Sequence, residues 1–164
     1  MEQQNEGGHM ILSIDPGNVY SAYSILDEQL KPISFGKIPN AEMFDVIFNC
    51  PRAYFAIEMV ACYGMPVGIE VFETCVAIGK FMQYADYRGG YQAIDRIYRK
   101  EEKINLCGSM KAKDGNIRQA LIDRFGPVGV KKNQGWFYGV SKDVWSAIAV
   151  GVTYHDLFLN GGEK

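Results

Sequence analysis

The chain has 164 residues, enough for one domain with a sizeable core and no need of disulfides or a structural metal. Hydrophobic residues make up 48% and charged residues 22%, as in an ordinary globular protein, and no apolar run reaches the roughly 18 residues of a membrane span. The net charge is −2, yet eleven Lys/Arg face five Asp/Glu between Arg88 and Lys132, so a basic stretch suited to phosphates lies inside an otherwise acidic chain. Solvated helix faces would give the same count.

Residues 1–9 are polar and Gly-containing, without a signal-peptide pattern. They are expected to be a disordered leader or a cloning scar, with residues 10–160 forming a single domain located in the cytoplasm. Apolar runs at 10–14 and 19–26, separated by Asp15-Pro16-Gly17-Asn18, predict a β-hairpin. A third strand is expected at 31–37, and a short helix at 41–48 with Asn40 as its N-cap. The aromatic and β-branched segment 52–60 predicts a buried strand.

Pro66 is expected to open a helix running to Ala85 with two apolar stripes, one through Phe72, Cys75, Val76, Gly79 and Met82, the other through Val71, Ile78, Phe81 and Ala85. A helix apolar on two sides is covered on two sides, so one stripe requires a partner besides the sheet. A strand at 91–98, a helix at 115–125 ended by Gly126-Pro127, and a last helix at 141–159 capped by Ser141 complete an α/β pattern with a mixed sheet. Cys50, Cys62, Cys75 and Cys107 show no CxxC spacing and are expected as reduced core thiols.

Most acids lie in polar stretches, but Asp15 follows Ile11-Leu12-Ser13-Ile14, and Glu58 stands between Tyr54-Phe55-Ala56-Ile57 and Met59-Val60. A carboxylate unpaired in such surroundings costs several kcal/mol or is protonated. A hard divalent cation relieves that cost with oxygen ligands. Asp before Pro-Gly is also ordinary turn chemistry, whereas the run around Glu58 has no turn residue. Asp143 opens the last helix, where the helix dipole alone favours an acid, and Ser146 stands one turn further along the same face.

Two acids from strands and one from a packed helix can converge on one or two cations, the requirement of phosphodiester hydrolysis. No Walker-type loop, GxSxG or HExxH competes. His155 and Asp156 stand roughly 18 Å or more beyond Asp143 along a helix rising about 1.5 Å per residue, too far to join it.

The ordered set Ile14-Asp15-Pro16-Gly17, Ala56-Ile57-Glu58 and Asp143 before Val144-Trp145-Ser146-Ala147 resembles the RuvC family of Holliday-junction resolvases, in the compact form of its bacteriophage members. The resemblance spans nearly all of residues 10–159. It implies a ribonuclease-H-like mixed sheet flanked by helices, a homodimer, Mg²⁺ or Mn²⁺, and paired nicks across four-way DNA junctions. Asp15, Glu58 and Asp143 match the family's metal-binding acids. The fourth acid of the family falls at Ser146, a neutral and weaker ligand, which leaves open a junction-binding protein with little catalysis. Lys103 and Lys113 match the stretches that carry lysines near the cleaved phosphate. The resemblance also points to DNA contacts from Tyr63, as a base-stacking wedge, and from Lys103, Lys111, Lys113 and Arg118.

Overall fold

The computed structural model describes residues 9–50 and 52–160. Residues 1–8, most of the expected leader, lie outside that description; His9 packs edge-on against Tyr54 with ring centroids 5.4 Å apart. Strands β1 (Ile11–Asp15) and β2 (Tyr20–Leu26) form the expected antiparallel hairpin, with β3 (Pro32–Pro39) beside β2. Helix α1 (Asn40–Phe48) leads to β4 (Tyr54–Met59), which returns parallel to β1. Helix α2 (Ile69–Arg88) then crosses over to β5 (Ala93–Tyr98), parallel to β4. The sheet order is β3-β2-β1-β4-β5. Helices α3 (Arg99–Cys107) and α4 (Asp114–Phe125), a small hairpin of β6 (Gly129–Val130) and β7 (Asn133–Gln134), and α5 (Lys142–Tyr154) complete the domain. The last helix ends in one π-helical turn, His155–Leu159.

The sheet separates two cores. Leu12, Ile14, Phe55 and Ile57 face α1 and α2, where Met43, Ile47, Ala77, Ile78, Phe81 and Ala85 cover them. Ile11, Ala22, Leu26, Ala56 and Ile97 face the other side, under α4 and α5. Helix α5 is buried along almost its whole length, which is why its sequence Val-Trp-Ser-Ala-Ile-Ala-Val-Gly-Val lacks a polar face. Gly151 sits where α5 crosses the hairpin: a Cβ there would meet a Leu26 methyl at 2.6 Å and the Ser13 hydroxyl at 2.8 Å. Gly151→Ala is therefore expected to lift α5 and destabilise the fold by about 1–3 kcal/mol, the usual cost of overpacking. Urea unfolding checks this, and a midpoint equal to wild type would mean the contact yields without cost.

Several expectations are corrected. Helix α2 begins at Ile69, three residues after Pro66, because Gly68 holds extended backbone just before it. Asn40 is the first helical residue, and Pro39 occupies the cap position. The Asn40 side chain instead fastens the hairpin turn, accepting from the Ser21 hydroxyl at 2.7 Å and donating to the Gly17 carbonyl at 2.8 Å. Ser141 stands at the cap of α5 but makes no side-chain cap bond. Only Cys50 is a buried thiol; Cys62 is exposed, and Cys75 and Cys107 are half-buried, all four free. The α2 stripe through Phe72 and Val76 lies largely open, with Phe72 61% and Val76 56% exposed, although Met82 at its far end packs against the core. Among the described residues no helix is long and apolar enough to cross a membrane.

Candidate active site

Side chains alternate across a strand, so the parity of β1 and β4 decides where their terminal acids point. Leu12 and Ile14 face α1 and α2, which turns Ile11, Ser13 and Asp15 toward α5. On β4, Phe55 and Ile57 face α2, which turns Ala56 and Glu58 toward α5 as well. The parallel register pairs Ile14 with Ile57 and so brings Asp15 beside Glu58 at the end of both strands. Gly17 keeps the turn after Asp15 tight, since a Cβ there would lie 2.2 Å from the Tyr20 carbonyl oxygen.

The two carboxyl groups are close enough to bond once one of them carries a proton. Burial, then the Glu58 charge and its hydrogen bond, and then Asp143 push Asp15 up to about 8 from an ordinary 3.8. Burial raises Glu58 too, against the opposing pull of the Arg99 guanidinium. One proton is thus shared where two charges would repel. Asp143, in the first turn of α5, is close enough for its charge to act on Asp15. Its Oδ2 accepts from Lys37 Nζ at 2.6 Å.

Asp143 is the ridge between two hollows. One, of about 250 Å³, is lined by Asp15, Pro16, Gly17, Asn18, Lys37 and Asp143, among others. The other, of about 400 Å³, lies between α4 and α5 and includes Arg99, Asp114, Arg118, Lys142, Asp143 and Ser146. Among the described residues no three His, Cys, Asp or Glu side chains are placed to hold an ion together. The pairings account for this: Asp15 and Glu58 face each other, while Asp143 faces Lys37. The donor chemistry itself, oxygen-only and mutually repelling, suits a hard divalent cation.

The other predicted site residues are spread more widely. Ser146 and Arg118 line the larger cleft, and the Arg118 guanidinium lies over the Trp145 ring, 5.1 Å from its centroid. Lys103 is half-buried on α3, and Lys113 is exposed at the head of α4; neither lines either hollow. Lys111 borders a separate depression with Ser109, Asn116 and Asp123. Tyr63 is 64% exposed, with a left-handed backbone (φ 46) in the connection between β4 and α2.

Sequence reasoning missed four residues of the site. Lys37 sits on an edge strand, 106 positions from its partner Asp143. Arg99, Glu102 and Asp114 come from α3 and the head of α4; Arg99 pairs with Glu102, and with Asp114 at 2.5 Å. Glu102 is completely buried, which its charged surroundings Arg99-Lys100-Glu101-Glu102-Lys103 disguise.

The sequence matches no protein-family model and no curated protein. The architecture is nonetheless a familiar one, an α/β ribonuclease-H-like fold of the RuvC kind. A structure of Thermus thermophilus RuvC in complex with a Holliday junction substrate matches with a TM-score of 0.69 at 14% identity, covering 94% of this chain and 96% of that one. A second T. thermophilus RuvC structure matches with a TM-score of 0.68 at 13% identity, covering 93% of this chain and 96% of that one.

Proposed function

We propose that the chain is a metal-dependent endonuclease that nicks four-way DNA junctions and related branched DNA, of the compact bacteriophage RuvC type and acting as a homodimer. The observation that carries this reading is the pairing of Asp15 with Glu58 at the ends of neighbouring parallel strands, with Asp143 at the head of α5 near enough for its charge to act on Asp15. Those three carboxylates would hold Mg²⁺ or Mn²⁺, which supplies an activated water and stabilises the attacking and leaving oxygens of the phosphodiester.

The chain's own groups do the rest. To hold the ion, Asp15 and Glu58 would release their shared proton to solvent. Asp143 parts from Lys37, leaving an ammonium at the rim of the smaller hollow to meet phosphate. Arg118, Lys103, Lys111 and Lys113 lie in the basic stretch that would track the DNA arms, and Tyr63 projects from an exposed connection where it could stack on a base. The uncovered stripe of α2, with Phe72 and Val76, suits a second copy of the chain, and light scattering at micromolar concentration tests that dimer.

Labelled junctions, forks, flaps, duplexes and RNA hybrids incubated with Mg²⁺, Mn²⁺ or EDTA test the activity. Paired nicks on the junction that vanish in EDTA are expected; cleavage that persists in EDTA contradicts the metal-dependent reading. Ser146 supports a second reading, a junction-binding protein with weak catalysis, because no fourth acid stands on the α5 face of the cleft. The same panel separates them, since the binder would shift junctions without nicking them. Ser146→Asp is expected to lower the metal concentration for half-maximal nicking, as an added carboxylate one turn from Asp143 raises ligand charge. An unchanged midpoint for both ions would place residue 146 outside the metal's reach.

A further inference from the structure

Arg99 is the first residue of α3, directly after β5, and its side chain is only 23% exposed. It pairs with Glu102 one turn along α3 and with Asp114 at the head of α4, and it lines the larger cleft together with Asp143 and Ser146. Its charge also acts on Glu58 and on Asp15. A guanidinium carries five N–H donors in a planar fork, so two bonds to carboxylates leave others for a third partner.

Glu102 is the unusual half of the pair. It is fully buried, and its Oε1 has no hydrogen-bond partner. A leucine would fill such a place at less cost, because a buried ion pair seldom stabilises a fold more than apolar packing does. An imperfectly satisfied acid behind an arginine makes poor sense as packing and good sense as an anchor. It fixes a cation that would otherwise be free to collapse onto Asp15 and Glu58.

Resting on the nuclease reading above, we propose that Arg99 is the resident cation of this site. Anchored by Glu102 and Asp114 in the cleft that Ser146 also lines, it binds a non-bridging phosphate oxygen and limits the acid cluster to one divalent ion. A chain with a carboxylate at 146 would attract a second ion to the cleft; this one has a neutral hydroxyl there and a built-in positive charge in the same lining. Glu102 is a positioning residue, since Arg99 lines the cleft and Glu102 does not.

The test is Mn²⁺ binding, followed by the paramagnetic resonance of the free ion, together with junction affinity in EDTA. The proteins are wild type, Asp15→Asn, Arg99→Lys and the double variant Arg99→Gln/Glu102→Gln, with circular-dichroism melts to verify folding. The double variant removes the cation without stranding a buried carboxylate. Wild type is expected to take one Mn²⁺ per chain. The double variant should bind its first ion about tenfold more tightly or take a second, because a repelling charge is gone. Its junction affinity should fall about tenfold with the lost phosphate contact. Arg99→Lys keeps the charge, and so the Mn²⁺ isotherm, but loses the fork and with it much of the junction affinity. That pair of results carries the proposal even if the double variant does not fold.

Two tightly held ions on wild type, a double-variant isotherm that superimposes on wild type, or unchanged junction affinity in Arg99→Lys would each overturn it. Wild type and Asp15→Asn binding Mn²⁺ equally would overturn the metal reading itself, and this proposal with it.

Discussion

Asp15→Asn, Glu58→Gln and Asp143→Asn are each expected to lower junction nicking on the order of a hundredfold or more, with junction binding intact. Each substitution preserves shape and removes one negative charge from a place that phosphate must approach, so binding in EDTA should hold or improve. The three differ in their effect on the fold. Asn at 15 or Gln at 58 removes the need of the buried pair to hold a proton, whereas Asn at 143 releases Lys37 at an exposed position. The first two should therefore be at least as stable as wild type without metal, and the third nearly unchanged. A gel assay on one labelled junction, run beside thermal melts, reads both. Near wild-type nicking by any one of them would return that residue to the role of a turn or cap acid.

Without metal, the folded chain is expected to lose stability as pH rises, the reverse of the usual carboxylate pattern. Asp15 holds its proton to about 8 when folded and to 3.8 ordinarily, so between those values the folded state binds more protons than the unfolded one. Stability then falls with pH across that window, by at most about 1.4 kcal/mol per unit for a single group. Burial raises Glu58 and Glu102 as well, and their contributions have the same sign. A divalent ion binds the ionised cluster of the folded state, so Mg²⁺ should stabilise most at the alkaline end. Melts in EDTA at pH 5.5 and 8 should show the higher Tm at pH 5.5. Excess Mg²⁺ should narrow or invert the gap, and Asp15→Asn should flatten it. A Tm in EDTA that rises with pH would show that Asp15 and Glu58 are not held together as a buried pair.

The parts of the site legible in the sequence are those where chemistry contradicts its surroundings. An acid at the end of Ile-Leu-Ser-Ile, and another inside Phe-Ala-Ile-Glu-Met-Val, stand out because burial makes them costly. Strand parity then orients both without any knowledge of the partners. Helix α3 was invisible for the opposite reason: Arg-Lys-Glu-Glu-Lys has no apolar periodicity, and an acid that is buried by its neighbours' fold looks like one that is solvated. Lys37 was hidden by distance, since pairing with Asp143 depends on where α5 lands across the sheet. The β6–β7 hairpin, two residues a side, is too short for any alternation to register.

The acids stand at positions 15, 58 and 143, on a hairpin strand, on the parallel strand beside it and on the helix that closes the domain. During synthesis the hairpin forms from local contacts, but β4 has to arrive before Glu58 stands next to Asp15, and Asp143 arrives only with α5. An emerging chain therefore carries its basic stretch, on the proposed function its DNA-binding part, before it carries a complete acid cluster. If the chain is the proposed nuclease, cutting waits for the last helix to dock, and a truncated or unfinished product adheres to DNA without harming it.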